Sequence, residues 1–582
     1  MMPYTNVGVA FLKSYFMRVF AYCGEVVTNS STGTLLLMAA MSLLWLIILY
    51  WFFFLFIPGF IMDRHLRHIP QVPGKLPILG HALCLLGGSP CSKMAKWSLN
   101  PNISTETGKK NDSQRLNRII NFTVFHQRVV YINHPALLKR VLLTNQRNYI
   151  KDIASSYKQF MCLLGNGLVT AEGEKWRKGR LLLSHALRID ILEEIPEMAM
   201  KAVGRIGEKL SAINKKLAFV DMNEEFRHMT LQVIGETALS LTPEETDRIF
   251  PTLYLPIVHE CNRQVWEPWR AFMPFSEGSR QRRYCLKQLN SILCEMIQKR
   301  WDDRHKPHKR DIMALCISQI DKMDGKMILQ LRDDVKTILL AGHETSAALL
   351  TWATYEVICH PEVRDKIVEE ARTLFDPSRC SKKIATPQGS TWGIPTPSDV
   401  RKILRWSPAV LRETLRKHSV VPLVMRLAVK NDIWPASETG LDKDVVIPAG
   451  CTVAVGIEAV HNRPDIWPEP EEFKPERFLD VEIANNTNAQ GTEKYEKSID
   501  PYAFIPFING PRNCLGQHLS IMETEVALAY LFLNWDLDLY DSEVKTTGAT
   551  NRVLQEKIGQ PHEYLIPIVP REGLKVVGRP RL

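Results

Sequence analysis

One cysteine stands where a thiolate could be put to work. Cys514 lies in the stretch Phe507-Ile508-Asn509-Gly510-Pro511-Arg512-Asn513-Cys514-Leu515-Gly516. Gly510 and Gly516 permit backbone turns that a Cβ resists, and Pro511 fixes φ and stiffens the loop. Helical apolar spacing follows from Leu515 through Leu533. Cys514 is therefore expected at a helix N-terminus, where the dipole and free N–H groups favour a thiolate. Arg512 adds positive charge. Such a thiolate is a nucleophile or a metal ligand. A nucleophile needs a base, and the loop offers only His518. No other cysteine stands at zinc-finger spacing. Haem iron, by contrast, needs one protein thiolate.

Three further groups carry chemistry. Ala341-Gly342-His343-Glu344-Thr345-Ser346 sits within a helix predicted over Leu331–Tyr355. Ala341 and Thr345 share a face at i,i+4, and Gly342 is read as room for a flat cofactor and a diatomic ligand. Glu344 and Thr345 place an acid and a hydroxyl in an apolar helix, which is costly without a purpose. His343 receives no role. Trp176 and Arg180, again i,i+4, share the face of a helix opened by Gly173. Arginine suits a carboxylate through bidentate geometry. Glu413 and Arg416, at i,i+3, can pair on a helix expected to be capped by Ser407-Pro408.

The pattern Phe-x-x-Gly-x-Arg-x-Cys-x-Gly resembles the haem loop of the cytochrome P450 family, matching at all five fixed positions. The small-Gly-x-acid-Thr-Ser order is similar to that family's oxygen-activating helix. The resemblance covers residue 69 to the C-terminus. It implies haem b with Cys514 as the iron ligand and Glu344 with Thr345 as the proton relay. It implies Trp176, Arg180, Arg426 and Arg512 as partners of the haem propionates, with Ala341 against the cofactor and Phe507 near the sulfur. It also implies a structural lock of Glu413 and Arg416 with Arg477, and a substrate cavity lined by Val421, Leu423 and Val424. Leu331-Arg332-Asp333-Asp334 leading into Ala341–Ala348 resembles the branch with algal and plant carotenoid hydroxylases, and is also similar to fatty-acid ω-hydroxylases.

These groups need a scaffold, and 582 residues suffice for a large one. Lys+Arg exceeds Asp+Glu by 73 to 63, a net +10 that suits an anionic membrane surface and carries no nucleic-acid motif. Twelve cysteines without a Cys-x-x-Cys pair indicate a reducing compartment. No charge occurs from Val26 to Met62, and Leu35–Ile57 is almost wholly apolar. At 1.5 Å per residue that stretch reaches roughly 34 Å, enough to cross a bilayer. Trp45, Tyr50 and Trp51 suit an interface. The basic stretch Asp63–His68 favours a cytosolic C-terminal side, against a weaker contrast from Lys13 and Arg18.

Further along, Ile69–Gly80 reads as a stiff proline-rich link. Thr123–Ile132 reads as a strand or hairpin and Val445–Val453 as a hairpin. Leu253–Phe275, rich in aromatics and prolines, covers the substrate entrance by resemblance, or else packs in the core or against a membrane. Residues 100–114 and 481–497 are insertions, residues 376–397 are a loop, and the segment after Trp535 is a terminal sheet. Asn29-Ser30-Ser31 forms a glycosylation sequon.

The expected fold is mainly α with small β-sheets, the cytochrome P450 fold behind a single N-terminal transmembrane helix. The divisions are a tail (1–34), the transmembrane helix (35–57), a proline-rich hinge (58–80) and the haem-binding catalytic domain (81–582). The expected function is a membrane monooxygenase inserting one atom of O2 into an apolar substrate: a terpenoid, carotenoid, sterol or fatty acid. Without a flavin or nicotinamide fingerprint, electrons come from NADPH through a separate cytochrome P450 reductase or a similar donor. The expected location is the endoplasmic reticulum with a cytosolic catalytic domain, a plastid membrane being the alternative. A reductase-independent haem-thiolate isomerase or dehydratase, and a non-catalytic membrane haem-binding protein, are the competing readings.

Overall fold

Helical periodicity dominates the chain, and the computed structural model of the protein is mainly helical. It describes residues 32–86, 89–103, 116–187, 189–213, 218–306, 310–385, 389–479, 481–483, 497–540 and 567–581. The tail sequon and most of both predicted insertions lie outside these residues. Two packing units divide at His65 and Leu66.

In the first unit, helix α1 begins at Thr32 and runs to Leu66, past the predicted end at Ile57. Its apolar side chains from Met41 to Tyr50 are exposed. Among the described residues no helix is long and apolar enough to cross a membrane.

The second unit is built around α6 (Gly325–Cys359), a helix capped by the Asp324 side chain. Before it come α2 (Gly173–Ala186), α3 (Met222–Leu239), α4 (Leu255–Trp266) and α5 (Glu277–Asp302). After it come α7 (Trp406–Lys417) and α8 (Gln517–Asn534). α3 lies along α6 so closely that a Cβ on Gly342 would meet Ile234 Cγ1 at 2.8 Å. Gly342 therefore serves helix packing, not the space for a cofactor read from the sequence.

Five strands form the main sheet: β1 (Ile119–Val124), β2 (Gln127–Ile132), β3 (Tyr149–Lys151), β4 (Leu423–Ala428) and β5 (Thr452–Gly456), in the order β1-β2-β5-β4-β3. The β1–β2 hairpin is the one expected. Val445–Val453 is not a hairpin: Val445–Ile447 pairs with Asp432–Trp434, while β5 pairs with β4 and β2. Gly450, at φ +81°, turns the chain, and its N–H donates to Ala428 O at 2.8 Å. The turn therefore passes the chain from one sheet to another. A terminal sheet joins Trp535–Leu539, Lys575–Pro580 and Val220–Asp221, as expected of the segment after Trp535.

Three other expectations change. Ile69–Gly80 is no free hinge, because Val72 N–H donates to Asn121 O (3.1 Å) and Asn121 N–H to Pro70 O (2.8 Å), pinning the link to β1. Helix α7 starts at Trp406, and its first N–H groups are satisfied by Glu370 of a neighbouring helix, which accepts from Arg405, Trp406 and Ser407 N–H within 2.9 Å. A borrowed carboxylate thus replaces the expected serine cap. Within 376–397 a small hairpin pairs Lys382–Ala385 with Thr391–Ile394. Between α4 and α5, Trp269, Phe272, Met273 and Phe275 are 56%, 86%, 52% and 84% exposed, so this part of the aromatic segment is not core.

Candidate active site

The cysteine loop is held by its own backbone. Cys514 N–H donates to Phe507 O at 2.8 Å and Asn513 N–H to Gly510 O at 3.0 Å. Ile508 (φ +59°) and Gly510 (φ +85°) occupy the left-handed region. A Cβ on Gly510 would sit 2.2 Å from Leu142 O, so only glycine lets the loop approach that backbone. Helix α8 starts at Gln517 with Gly516 at its N-cap, leaving Cys514 just ahead of it. Burial raises the thiol pKa, outweighing the Gly516 N–H and Arg180, which lower it.

Helix α6 meets this region through Ser346 Oγ, 2.9 Å from Ser520 Oγ on α8. Thr345 Oγ1 donates to Ala341 O at 2.7 Å, confirming their shared face. Ala341 and Cys514 are both accessible although α6 and α8 are otherwise largely buried. Glu344 points elsewhere. Its Oε1 lies 2.7 Å from Arg227 Nη2 on α3 and 3.2 Å from His343 Nε2. Burial alone would raise this carboxyl, but His343 and Arg227 outweigh burial and hold it at about 2. Arg227 also reaches the half-exposed Glu224 at 3.2 Å. His343 is fully buried, with Nδ1 2.7 Å from Leu339 O and Tyr254 packed on its ring.

The cations gather at a second wall. Arg180 Nη1 donates to Asn513 O at 2.6 Å, one residue before the cysteine. Arg512 lies over the Trp176 ring at 4.0 Å, donates to Ala171 O (2.9 Å) and pairs with Glu172. Arg426 is 5% exposed, and among the described residues no carboxylate forms a salt bridge with it. Directly across the antiparallel β3–β4 pair stands Lys151. Like charges opposite each other in a sheet destabilise it. Burial, then Arg426 and Arg512, lowers the Lys151 pKa to about 7. Lys151, Trp176, Arg426, Arg512 and Glu172 all line one cavity of about 360 Å³. Sequence reading missed Lys151, because only the strand register sets it opposite Arg426.

The third group lies apart. Arg416 Nε is 2.8 Å from Glu413 Oε2, both fully buried, and Arg477 Nε is 3.4 Å from Glu413 Oε1. Arg416 also donates to His461 O, Pro470 O and Glu472 O (3.1, 2.8 and 3.1 Å), fastening the segment before Arg477.

These residues fit haem b. Its two carboxylates would meet Arg180, Arg426, Arg512 and Lys151, beside Glu172, and its iron would take the Cys514 thiol, since metal ligation deprotonates a thiol outright. Ala341 and Thr345 share a small face of α6, the helix that touches α8 through Ser346.

Comparison with known proteins agrees with this fit. The family model for "Cytochrome P450" matches residues 109–561. "Protein LUTEIN DEFICIENT 5, chloroplastic" of Arabidopsis thaliana is 28% identical over 74% of this chain and 70% of its own. "Cytochrome P450 4V2" of Pongo abelii is 27% identical over 80% and 83%. The solved haem domain of cytochrome P450DA superimposes with a TM-score of 0.66 at 20% identity, covering 88% of this chain and 98% of that one.

Proposed function

This chain belongs to the cytochrome P450 family, oxidoreductases that carry haem b on a cysteine thiolate, and on that premise we propose that it hydroxylates an apolar organic substrate at a membrane. Haem b, when bound, supplies the activation of dioxygen. Cys514 would ligate the iron. Trp176, Arg180, Arg426 and Arg512, joined by Lys151, would hold the carboxylates. Phe507 would pack near the sulfur and Ala341 would border the cofactor. The observation that carries this reading is that Arg180 and Arg512 stand at the Cys514 loop, with Arg426 and Lys151 on the adjoining cavity wall and α6 touching α8 through Ser346 and Ser520.

Glu344 and Thr345 move the protons. Glu344 rests ionised against Arg227; turning away from Arg227 towards Thr345 removes that stabilisation, so that it takes a proton from the Glu224–Arg227 side and delivers it. The Thr345 hydroxyl already donates to Ala341 O, which leaves its lone pairs free to accept. A reductase-independent isomerase would have no use for this pair. Glu413, Arg416 and Arg477 keep the shape of the haem-side segment.

The acceptor is a terpenoid, carotenoid, sterol or fatty acid, taken as far as stepwise oxidation of a methyl group to a carboxylic acid. One relative is named for a deficiency of lutein, which supports an extended apolar substrate. Electrons come from NADPH through a separate reductase. The apolar α1 and the exposed Trp269–Phe275 tip support a membrane-anchored protein. The anchor is the apolar stretch Leu35–Ile57, and the membrane is the endoplasmic reticulum or, by analogy with the chloroplastic relative, a plastid.

The test supplies membranes carrying the native chain or Cys514→Ala with reductase, NADPH, 18O2 and a source-cell extract. A product that gains one labelled oxygen with the native chain alone is expected. A variant that keeps the haem-thiolate spectrum refutes the ligand assignment, and turnover without NADPH refutes the monooxygenase reading.

A further inference from the structure

Cys162 and Cys261 are 99 residues apart in sequence, yet their sulfurs are 3.7 Å apart. Cys162 is exposed on the short helix Met161–Leu164, and Cys261 is buried on α4. Among the described residues no other two thiols come within hydrogen-bonding reach.

Both sides of the pair are fixed from elsewhere. Just after Cys162, Asn166 N–H donates to Asp333 Oδ2 (3.0 Å) and Leu168 N–H to Asp334 Oδ1 (2.9 Å), both on α6. Gly165 and Gly167 sit so tightly that a Cβ would come within 2.2 Å of Asp333 and 2.1 Å of Thr337. The Asp333-Asp334 stretch singled out in the sequence therefore anchors this loop. On the other side, Glu260 beside Cys261 holds Arg270 (2.8 Å) and Gln264 (3.0 Å), and Gln264 accepts from Arg282 (2.8 Å). Arg282 thus lies beside the thiols. The sulfurs need less than ~2 Å of approach to bond.

The two thiols differ in character. The hydrogen bond from Cys261, with Arg282 and the Leu163 N–H, holds Cys162 below its ordinary pKa against a smaller opposing effect of burial. Cys261 is pushed up by that same hydrogen bond and by burial. An exposed sulfur with thiolate character beside a buried protonated one is an attacking and resolving arrangement.

We propose that Cys162 and Cys261 form a reversible redox site, closed to a disulfide by a small disulfide oxidant such as glutathione disulfide. Cys162 thiolate attacks one sulfur of the oxidant, forming a mixed disulfide and expelling one glutathione thiolate. Cys261 then attacks the Cys162 sulfur, its proton passing to the second departing glutathione. Two thiols are oxidised, one glutathione disulfide is reduced, and two glutathiones leave. The bond ties the α6-anchored loop to α4, whose preceding turn packs Tyr254 on His343 beside Glu344.

The experiment uses the full-length, haem-loaded protein in detergent, equilibrated in glutathione buffers, quenched, alkylated after denaturation and mapped by mass spectrometry. Expected are a Cys162–Cys261 linked peptide, loss of two alkylatable thiols, and a bridged fraction that follows [GSSG]/[GSH]² and reverses with dithiothreitol. Cys162→Ser, a change at an exposed position, should leave Cys261 fully alkylated. A stable glutathione adduct on Cys162 with Cys261 free, a bridge to any other cysteine, or no change across the buffer series overturns the proposal.

Discussion

Replacing Lys151 with methionine should move two properties in opposite directions. Lys151 faces Arg426 across β3–β4 and lines the cavity that receives Arg512. Its ammonium is held at a pKa of about 7 against an ordinary 10.5, chiefly by burial and then by Arg426 and Arg512. One pKa unit is about 1.4 kcal/mol, so the charged form costs the haem-free fold up to about 5 kcal/mol. Because the folded pKa is depressed, the penalty is full below pH 7. It fades as pH rises from 7 to 10.5. Haem-free native protein should therefore gain stability over that window, and Lys151→Met should be more stable than native at pH 7 and nearly flat with pH. With haem bound, the sign reverses. A charge-assisted contact to a carboxylate contributes about 1.5–3 kcal/mol, so the variant should lose haem to a globin scavenger roughly 10- to 100-fold faster. Thermal unfolding of the haem-free protein and haem-transfer kinetics at pH 6.5 to 9.5 measure both arms. A variant that loses stability in both forms, or keeps native haem retention, would show that Lys151 is a packing residue and refute the charge argument.

Other outcomes are equally specific. Glu344→Gln removes the ionised relay and its Arg227 pair (2.7 Å). Product formation should fall by about 10²–10⁴ with the haem-thiolate spectrum unchanged, and equal loss of the spectrum would mean a structural role. Glu413→Ala leaves Arg416 charged and fully buried. Denaturant unfolding should show a loss of about 3–5 kcal/mol, and a loss below 1 kcal/mol would place the pair at a tolerant site. Gly510→Ala forces a Cβ to within 2.2 Å of Leu142 O at φ +85°. Haem retention should be lost in purified protein, whereas Gly516→Ala, whose Cβ meets nothing within 4 Å, should keep it.

Much of the site was written in short-range spacing. The i,i+4 partners Ala341 and Thr345, and the i,i+3 partners Glu413 and Arg416, share faces because 3.6 residues make a turn, whatever the rest of the chain does. The cysteine loop was legible for a similar reason, since Gly510 permits a left-handed turn and Pro511 fixes φ, both locally. The hairpin at Val445–Val453 was misread because its alternation specifies strands without naming their partners. Gly342 was misread because a missing Cβ says only that something is close, and here the neighbour is Ile234.

What the sequence by itself determined is the kind of chemistry: one thiol in a rigid loop, an acid and an alcohol on a helix, and arginines suited to carboxylates. Tertiary structure decided the charge state and company of those groups. Burial raises the Cys514 thiol where local geometry alone favours a thiolate. His343 beside it and Arg227, 117 residues before it, hold the Glu344 carboxyl ionised. Strand register sets Lys151 against Arg426, and the fold closes Cys162 on Cys261. The division follows from range. Backbone angles and helical faces depend on neighbours along the chain, whereas desolvation and Coulomb interactions depend on whatever the fold brings within a few ångströms.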